Sequence, residues 1–509
     1  MDNKGLLSDS LIFHRRFSVN PYKTLKMPLS RMDFYRDWLS EPGGDPYPLI
    51  GASQTALTEK ICDCSYSVYS RFEKSFAERL ITTHFPYCSY ELELLSMDDG
   101  SEAGFSLIND ERTLRVFLRK SKNGLSVVRE VVCNGFTTDT YVQKADLSFK
   151  ESMTFTLTCS NKGFAVYLKT DKKPICVFSF TETDMIYAKQ SVFTKTSAAL
   201  YVCAKDGASI SVCNVCSYLD GGMTQADIRS LRFEDGTPIT EDGKLFFTVS
   251  VREKCGGYQA VLSWNPSGCD FCLEGALFFD YGDGIWYSDI ASSVIFNRKT
   301  NEWYVWAVSF THDHMLIRGK TTADLRYGIN LVSVTKMEPI SDDSLSEDEK
   351  DRLFVGKSSD EDPDFIYDEK TNKWYLTVCR SVNCGDRNRY RYFLFESDNP
   401  FDGYTFKDKT VTGSDTGGSI IRVDDELYFV CGSDGDLRSN YHAYSLSDLS
   451  ECKKMRFDHD DGGFRGWGTI VPLPYGNMTR LVWLTFDRHN ADPDNRWSYG
   501  NLYAFEAFI

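Results

Sequence analysis

The sequence predicts an all-β protein in which an N-terminal antiparallel β-sandwich is followed by a five-bladed β-propeller. The first observation is a series of short runs, between about residues 87 and 215, in which apolar and polar residues alternate between turns. The second is a sequence unit that recurs five times from residue 226 onward. The third is composition: 14% of the residues are aromatic and only 15 are proline, which favours β-structure.

Length and charge narrow the classes of function. The chain has 509 residues, enough for several domains of roughly 100–200 residues each. Its formal charge of −16 repels phosphate backbones and anionic lipids, so neither nucleic acid nor a membrane is an expected partner. The N-terminus carries charges where a signal peptide needs an apolar region. We therefore expect a cytoplasmic protein whose 16 cysteines are reduced and mostly buried; the oligomeric state is left open.

Residues 1–220 are assigned to the sandwich. The stretch MTFTLTCSNKGFAVYLKTDKKPICVFSF, residues 153–180, alternates as sandwich strands do, and it resembles the laminin-G/concanavalin-like sandwich. Residues 1–86 show less pattern and are placed in the same domain, since such sandwiches often close with an N-terminal strand. The polar, glycine-containing segment 218–225 marks the boundary with a second domain, residues 221–509.

The second domain consists of five similar segments. Each has a small or acidic start, an apolar strand, a turn and an aromatic strand, and successive starts are roughly 50–70 residues apart. That length accommodates one four-stranded antiparallel sheet per segment, and radial repetition of such sheets forms a propeller. The segments begin near Ala226, Ser288, Glu361, Thr416 and Gly466.

Carboxylates stand at the first three of these starts. They are Asp227, Asp289 and the adjacent pair Glu361 and Asp362. Because the first strand of every blade lines the central channel, residues at the blade starts converge on one face of a propeller. Converging carboxylates repel one another unless a cation, a substrate or a shared proton relieves the repulsion. The pattern therefore predicts a funnel with an acidic site.

These motifs resemble those of the five-bladed propeller glycosidases of glycoside hydrolase families 43, 32 and 117. Family 43 opens its first three blades with A-D-P, x-D-P and E-G-P motifs. Residues 226–228 (A-D-I), 288–290 (S-D-I) and 361–363 (E-D-P) are similar, although two prolines are missing and an aspartate replaces the glycine. The resemblance covers only the C-terminal half of the chain, and the family usually carries any sandwich after its propeller.

The resemblance implies a role for each carboxylate. Asp227 corresponds to the general base, Glu361 to the general acid and Asp289 to the residue that tunes and orients the acid. An alternative register takes Asp362 and Pro363 as a second-blade motif, which shifts every role by one blade. An inverting glycosidase needs an acid and a base about 6.5–9.5 Å apart, and a further carboxylate near the acid raises its pKa.

The expected reaction is therefore hydrolysis of a glycosidic bond with inversion. By resemblance, the substrates are plant-type oligosaccharides, with arabinofuranosides and xylosides first. Residues expected to bind the sugar are Asp362, Trp286, Arg465 and Trp467, because they stand at or near blade starts and aromatic faces stack on sugars. The tryptophans expected to pack between blades are Trp303, Trp374 and Trp483.

Metal sites and other functions remain as alternatives. No residue spacing predicts a dedicated metal site, while the resemblance allows a structural calcium ion in the propeller channel. The pairs Cys213/Cys216 and Cys269/Cys272 have zinc-ribbon spacing, but the first pair falls on a predicted strand, where residues three apart face opposite sides. Two other functions are kept: a retaining fructosidase-like hydrolase with Asp227 as nucleophile, and a non-catalytic carbohydrate-binding protein.

Overall fold

The computed structural model describes residues 5–20, 23–29, 49–52, 57–62, 65–71, 73–110, 112–149, 152–160, 163–170, 174–181, 188–309, 314–337, 360–383, 388–411, 415–433, 441–458, 464–487 and 501–509. These residues are almost wholly β, apart from a 3₁₀ turn at Gly5–Leu7 and the short helix α1 at Gln190–Phe193. The first sixteen strands are β1 His14–Val19, β2 Lys26–Pro28, β3 Leu49–Ala52, β4 Leu57–Cys62, β5 Ser65–Ser70, β6 Ser75–Thr83, β7 Ser89–Met97, β8 Glu102–Ile108, β9 Arg112–Ser121, β10 Gly124–Cys133, β11 Phe136–Lys144, β12 Met153–Ser160, β13 Gly163–Lys169, β14 Ile175–Thr181, β15 Ser197–Ala204 and β16 Ser209–Asp220. The remaining strands are β17 Thr224–Ser230, β18 Arg232–Phe233, β19 Thr240–Glu241, β20 Lys244–Glu253, β21 Gly256–Trp264, β22 Phe271–Asp280, β23 Ile290–Asn297, β24 Glu302–Ser309, β25 Met315–Thr321, β26 Gly328–Lys336, β27 Asp360–Asp368, β28 Lys373–Asn383, β29 Asn388–Ser397, β30 Thr405–Lys409, β31 Asp415–Val423, β32 Glu426–Ser433, β33 Tyr441–Ser445, β34 Asp448–Lys454, β35 Phe464–Tyr475, β36 Met478–Asp487 and β37 Leu502–Phe508.

The N-terminal half contains two antiparallel sheets. One has the order β11-β10-β9-β8-β15-β6-β3 and the other the order β14-β13-β12-β7-β16-β5-β4, with β2 paired to β16. Phe105 of the first sheet contacts Tyr90 and Phe155 of the second, with ring centroids 5.6 and 6.0 Å apart. The alternation of apolar and polar residues places one face of each sheet in this shared core. The predicted sandwich is confirmed, and its resemblance to laminin-G domains stays a prediction.

The C-terminal half contains five blades of four strands. Blade one is β17, β20, β21 and β22, blade two β23–β26, blade three β27–β30, blade four β31–β34, and blade five β35, β36, β37 and β1. The first strands contact one another in the cyclic order β17, β23, β27, β31, β35 and back to β17. Blades one and two are also joined at their outer edges, because β22 and β26 pair in parallel. This ring confirms the predicted five-bladed propeller.

The N-terminal segment closes the propeller. Strand β1 pairs antiparallel with β37, so that His14 lies opposite Glu506 and Val19 opposite Leu502. The outermost strand of blade five therefore comes from the opposite end of the chain. The assignment of residues 1–86 to the sandwich is wrong for β1, whereas β2–β6 do belong to the sandwich sheets. The remainder of the proposed division at residue 220 stays a prediction.

A buried ion pair ties the blades together along the channel. Asp364 on β27 accepts hydrogen bonds from the guanidinium of Arg232 at 2.6 Å and from the hydroxyl of Ser293, on the first strand of blade two, at 2.5 Å. Its second oxygen accepts the backbone N–H of Ile420, on the first strand of blade four, at 2.6 Å. Both charged side chains are buried, so this part of the channel is filled by protein groups.

Aromatic side chains join the two domains. Phe85 of the sandwich has edge-to-face contacts with Phe278 of blade one at 5.5 Å and with Trp286, in the loop between blades one and two, at 5.7 Å. The same loop is held by backbone hydrogen bonds from Trp286 to Ala188 and from Gln190 to Gly284, 3.0 and 2.8 Å long. The sandwich therefore positions the segment that leads into the first strand of blade two.

A buried group of charges lies at the same boundary. The ammonium of Lys23 is 3.0 Å from Asp220, at the end of the last sandwich strand, and 3.0 Å from Glu253 of blade one. It also donates to Thr158, and the hydroxyl of Tyr167 donates to Glu253 at 2.7 Å. Because buried ions are tolerated only with close partners, this group stabilises one arrangement of the two domains.

In the part of the chain that the structure describes, no helix has the length and apolarity needed to cross a membrane. The cysteines of that part are free thiols, and most are buried or half-buried, as predicted. Cys269 and Cys272 are the exceptions, because both are exposed. The cytoplasmic location stays a prediction.

Candidate active site

The first strand of each blade breaks register with the second strand near its start. In four blades the break contains a residue with left-handed backbone: Asp227 (φ 54°), Ala291 (φ 56°), Asp362 (φ 47°) and Gly417 (φ 64°). Aspartate and glycine adopt this conformation more readily than most residues do. Bulges of this kind turn a side chain out of the sheet and are common beside active sites. The breaks lie between Ala226 and Arg229, Ile290 and Ser293, Glu361 and Asp364, Thr416 and Ser419, and Arg465 and Thr469.

These bulges show which residues of the blade starts are equivalent in the structure. Ala291, and not Asp289, occupies in blade two the position that Asp227 occupies in blade one. Asp289 precedes the bulge residue by two positions, as Asp360 does in blade three and Asp415 in blade four. The match of the S-D-I motif with the family's second-blade motif stays a prediction, although Asp289 does not hold the bulge position that Asp227 holds.

The acids two positions before the bulge are bonded to neighbouring side chains. Asp289 accepts the hydroxyl of Tyr281 at 2.5 Å. Asp360 binds the guanidinium of Arg380 at 2.9 Å. Burial raises the pKa of Tyr281, and the negative charge of Asp289 adds to the rise, so the phenol stays a donor to this carboxylate. These bonds tie the starts of the first strands to neighbouring side chains, and the predicted role of Asp289 in catalysis stays a prediction.

Asp227, Glu361 and Asp362 share one electrostatic environment. Asp362 is buried, with 8% of its surface exposed, and its carboxylate accepts the backbone N–H of Gly417 at 3.3 Å. Burial raises the pKa of Asp362 to about 7. The negative charges of Asp227 and Glu361 add to this rise, and Arg229 opposes it. Near neutral pH the group therefore contains a carboxyl that exchanges a proton readily.

Cations and an imidazole surround these carboxylates. The guanidinium of Arg252 lies 3.7 Å from Asp227, and the Nδ1 of His314 lies 3.6 Å from Glu361. The side chain of Glu361 is 26% exposed, compared with 9% for Asp227. Glu361 therefore reaches solvent more readily than the other two carboxylates, while Asp227 lies deeper beside a fixed positive charge.

The structure describes the side chains of some of the predicted sugar-binding residues and not of others. Trp286 packs against Phe85, Phe193 and Phe278 at the domain boundary, and its indole N–H donates to Gln190. This packing makes Trp286 a contact between the domains, and its role as a sugar platform stays a prediction. Arg465 and Trp467 lie on β35, and their side chains are outside the described part of the structure. Their roles stay predictions.

The tryptophans predicted to pack between blades do so. Trp303 lies in a buried cluster shared by blades one and two, Trp374 in one shared by blades two and three, and Trp483 in one shared by blades four and five. The sequence indicated this role because each tryptophan stands inside an alternating strand.

One group of side chains within the described residues has donor atoms close enough to hold a metal ion, namely Asp415, Cys431 and His442 of blade four. The two pairs with zinc-ribbon spacing do not form such a group there: Cys213 is buried on a strand, whereas Cys269 is exposed in the turn before β22 and Cys272 is exposed on β22. The channel calcium stays a prediction.

Sequence reasoning missed several residues of the site. Arg229 and Arg252 were not singled out, although Arg229 follows the predicted base by two positions. His314 belongs to a His-x-His pair in the sequence, a spacing that does not by itself indicate a carboxylate partner. The signal available for Arg229 was its place in the repeat, because Asp364 holds the same position after the bulge in blade three.

No protein-family model matches the chain, and no curated protein sequence matches it. Among solved structures, the chain is similar to a thermostable family-43 glycoside hydrolase, with 14% identity and a TM-score of 0.37 over 56% of this chain and 90% of the other. It is also similar to an inulosucrase from Halalkalicoccus jeotgali bound to kestose, with 13% identity and a TM-score of 0.40 over 56% and 84% of the two chains. The CBM66 carbohydrate-binding module from Bacillus subtilis gives 13% identity and a TM-score of 0.24 over 34% and 99%. Similarities this weak say nothing about which reaction the chain catalyses.

Proposed function

We propose that this chain is a glycoside hydrolase whose reaction centre is the group Asp227, Glu361 and Asp362. The observation that carries the proposal is the clustering of three carboxyl groups at bulged blade starts, one of them with a pKa raised to about 7. Glycoside hydrolysis needs a carboxyl that holds a proton beside one that does not. A purely structural role is a poorer account, because like charges in a buried place lower stability.

Asp227 is the proposed general base. Its carboxylate lies 3.7 Å from the guanidinium of Arg252, and the proposed role is to take a proton from the attacking water. Glu361 is the proposed general acid, because its more exposed side chain can reach the oxygen of a leaving group. This assignment agrees with the E-D-P motif, in which Glu361 takes the place of the family's acid.

The role of the residue that tunes and orients the general acid fits Asp362 better than Asp289. Burial raises the pKa of Asp362, and the negative charge of the adjoining Glu361 adds to the rise. Asp289 is engaged with Tyr281 and is expected to affect catalysis only through the start of the second blade. Asp289 therefore becomes the comparison position in the experiment.

The proposed substrates are arabinofuranosides and xylosides of plant-type oligosaccharides, cleaved with inversion. This choice comes from the resemblance of the blade-start motifs to family 43. Arg465 and Trp467, on the first strand of blade five, are the proposed sugar-binding residues. Their place at the fifth blade start is the same face of the propeller as that of Asp227 and Asp362.

The test measures hydrolysis of a panel of aryl arabinofuranosides, aryl xylosides and unactivated oligosaccharides by the full chain. Glu361→Gln is expected to lower kcat on an unactivated substrate by about 10²–10⁴-fold, since a positioned acid typically contributes that much. The matched control is Glu302→Gln, because Glu302 is similarly half-buried and pairs with Lys320 away from the blade starts. Full activity of the Glu361→Gln variant would exclude the proposed acid.

The product determines which mechanism operates. Nuclear magnetic resonance of the first anomer released should show inversion; retention would instead favour the fructosidase-like alternative with Asp227 as nucleophile. Asp289→Asn is expected to retain most activity, and a loss equal to that of Asp362→Asn would return the modulating role to Asp289. Binding of oligosaccharides without turnover across the panel would indicate a carbohydrate-binding protein.

A further inference from the structure

Three potential metal ligands lie side by side in blade four. Asp415 begins β31, Cys431 is on β32 and His442 is on β33, so each comes from a different neighbouring strand. Cys431 and His442 are directly opposite each other in the ladder, and Asp415 is opposite Ser433. Residues two apart on a strand face the same side, which brings all three side chains to one face of the sheet.

The donor atoms of these side chains are already close together. One carboxylate oxygen of Asp415 is 3.0 Å from Nδ1 of His442. The Sγ of Cys431 completes a group in which all three donor atoms lie within 4.8 Å of one another. Metal–ligand bonds of about 2.0–2.3 Å put the ligand atoms of a tetrahedral zinc ion roughly 3–4 Å apart. Only a small adjustment of the Cys431 side chain is needed to enclose an ion.

The surroundings orient these donors. The hydroxyl of Tyr444 donates to the other carboxylate oxygen of Asp415 at 2.7 Å. Asp415 and Cys431 are fully buried and His442 is 6% exposed. A hydrogen bond to the second oxygen of a ligating carboxylate is the support that metal sites commonly have.

We propose that Asp415, Cys431 and His442 bind a divalent transition-metal ion of the zinc class. A thiolate, an imidazole and a carboxylate suit such an ion, whereas calcium takes oxygen ligands. The ion takes the place of the hydrogen bond between Asp415 and His442: the neutral imidazole binds it through Nδ1 with its one proton on Nε2, and Cys431 releases its thiol proton to the solvent to become a ligand. The charges of the thiolate, the carboxylate and the dication then sum to zero, which suits a buried place.

The site is separate from the group of Asp227, Glu361 and Asp362 and does not depend on the proposed reaction. Asp415 lies two residues before Gly417, whose N–H bonds to Asp362. An ion at this site would hold together the three strands of blade four that begin or end at the candidate active-site face. Its role is therefore structural, and its direct readouts are metal content and thermal stability.

The test uses the full chain, purified under reducing conditions and dialysed against a chelator. Added zinc sulfate is expected to bind at about one ion per chain and to raise the midpoint of thermal unfolding, because it binds the folded state. Cobalt(II) used in its place should produce the charge-transfer absorption of a cobalt–thiolate bond. A chain that binds neither ion stoichiometrically would overturn the proposal.

Variants assign the ligands. Cys431→Ser is expected to weaken zinc binding by at least the 10–100-fold that changes around a metal site typically cause, and to abolish the cobalt–thiolate band. Cys379→Ser is the matched control, because Cys379 is also buried and its thiol donates to the backbone carbonyl of Asp415, but it is outside the group of three. Equal binding by the Cys431→Ser variant, or loss of the band only in Cys379→Ser, would also overturn the proposal. His442→Asn gives the second test should Cys431→Ser fail to fold.

Discussion

Two groups of buried carboxylates differ in how their charge is balanced. At the domain boundary, Lys23 lies 3.0 Å from both Asp220 and Glu253. At the blade starts, Asp227, Glu361 and Asp362 face one another, and the guanidinium of Arg252 is 3.7 Å from Asp227. In the first group one ammonium contacts both carboxylates at 3.0 Å, whereas in the second Arg252 and His314 lie 3.7 and 3.6 Å from one carboxylate each. The first arrangement holds the two domains together, and the second contains a carboxyl whose pKa is raised to about 7.

The protonation of each group follows from this difference. Burial raises the pKa of Asp220, but the charge of Lys23 and several hydrogen bonds outweigh it, and the pKa lies below its usual range. Burial raises the pKa of Glu253 to about 8, because the one ammonium neutralises one carboxylate and the charge of Asp220 adds to the rise. Asp362 resembles Glu253 in its raised pKa, but it lies at a blade start beside Glu361, whose side chain is 26% exposed, and not at the boundary between the domains.

Removal of the central cation should have the largest effect on stability. Lys23→Met is expected to lower the free energy of unfolding by about 3–5 kcal/mol, since it leaves a buried carboxylate without its partner. The matched control is Lys26→Met, because Lys26 pairs with Glu91 at a largely solvated position, where a pair contributes about 0–1 kcal/mol. Chemical denaturation followed by tryptophan fluorescence measures both. Equal losses in the two variants would remove the contrast between the two groups.

Replacing a carboxylate at the blade starts by a neutral side chain should raise the free energy of unfolding, whereas the loss of Lys23 should lower it. Asp362→Asn is expected to stabilise the fold at pH 8 by about 1–3 kcal/mol while it reduces hydrolysis, because ionised Asp362 is repelled by its neighbours. The folded-state pKa is above the ordinary value of 3.8. The contribution of Asp362 to the stability of the fold is therefore fully present below about pH 4 and is lost as the pH rises through about 7.

The check is the unfolding midpoint of the wild type and the variant between pH 4 and 8. The difference should be small at pH 4 and should grow in favour of Asp362→Asn toward pH 8. Asp364→Asn is the matched control, because Asp364 is equally buried but is paired with Arg232, so its neutralisation should destabilise the fold at every pH. If Asp362→Asn lowered the unfolding midpoint at pH 8, the charge of Asp362 would be balanced by nearby cations and this prediction would be wrong.

The smallest expected effect concerns Glu253. Its folded-state pKa of about 8 is above the ordinary value of 4.5. Its contribution to the stability of the fold is therefore fully present below pH 4.5 and is lost as the pH rises through about 8. Glu253→Gln should leave the midpoint of thermal unfolding nearly unchanged at pH 6 and raise it at pH 9, by a free energy on the order of 1 kcal/mol.

Asp220→Asn is the contrasting variant for the same measurement. The pKa of Asp220 is lowered, so its contribution is present above the ordinary pKa and is lost as the pH falls through the folded-state value. Replacement should therefore destabilise the fold at both pH 6 and pH 9. A higher midpoint of thermal unfolding at pH 9 in both variants would indicate that Lys23 is not protonated at that pH.

Much of the architecture was predictable because it depends on local patterns. Alternation identified the sandwich strands, and the five repeats identified the blades and the packing of Trp303, Trp374 and Trp483. The acids at the blade starts were also found, since repetition placed them at the same end of successive strands. The residue that contacts each acid was harder to predict. A bulge changes which face of the sheet every later residue of the strand points to, and the amino-acid composition does not reveal where the bulge lies.

By itself, the sequence determined the all-β class and the order of sandwich and propeller, and it predicted that Asp227, Asp289, Glu361 and Asp362 converge at the blade starts. Only the tertiary structure decided that Ala291 takes the bulge position in blade two, that Trp286 packs between domains, and that β1 completes blade five. These features depend on contacts between residues far apart in the chain. Periodicity reports which face of a strand is buried, but it does not report what that face is buried against.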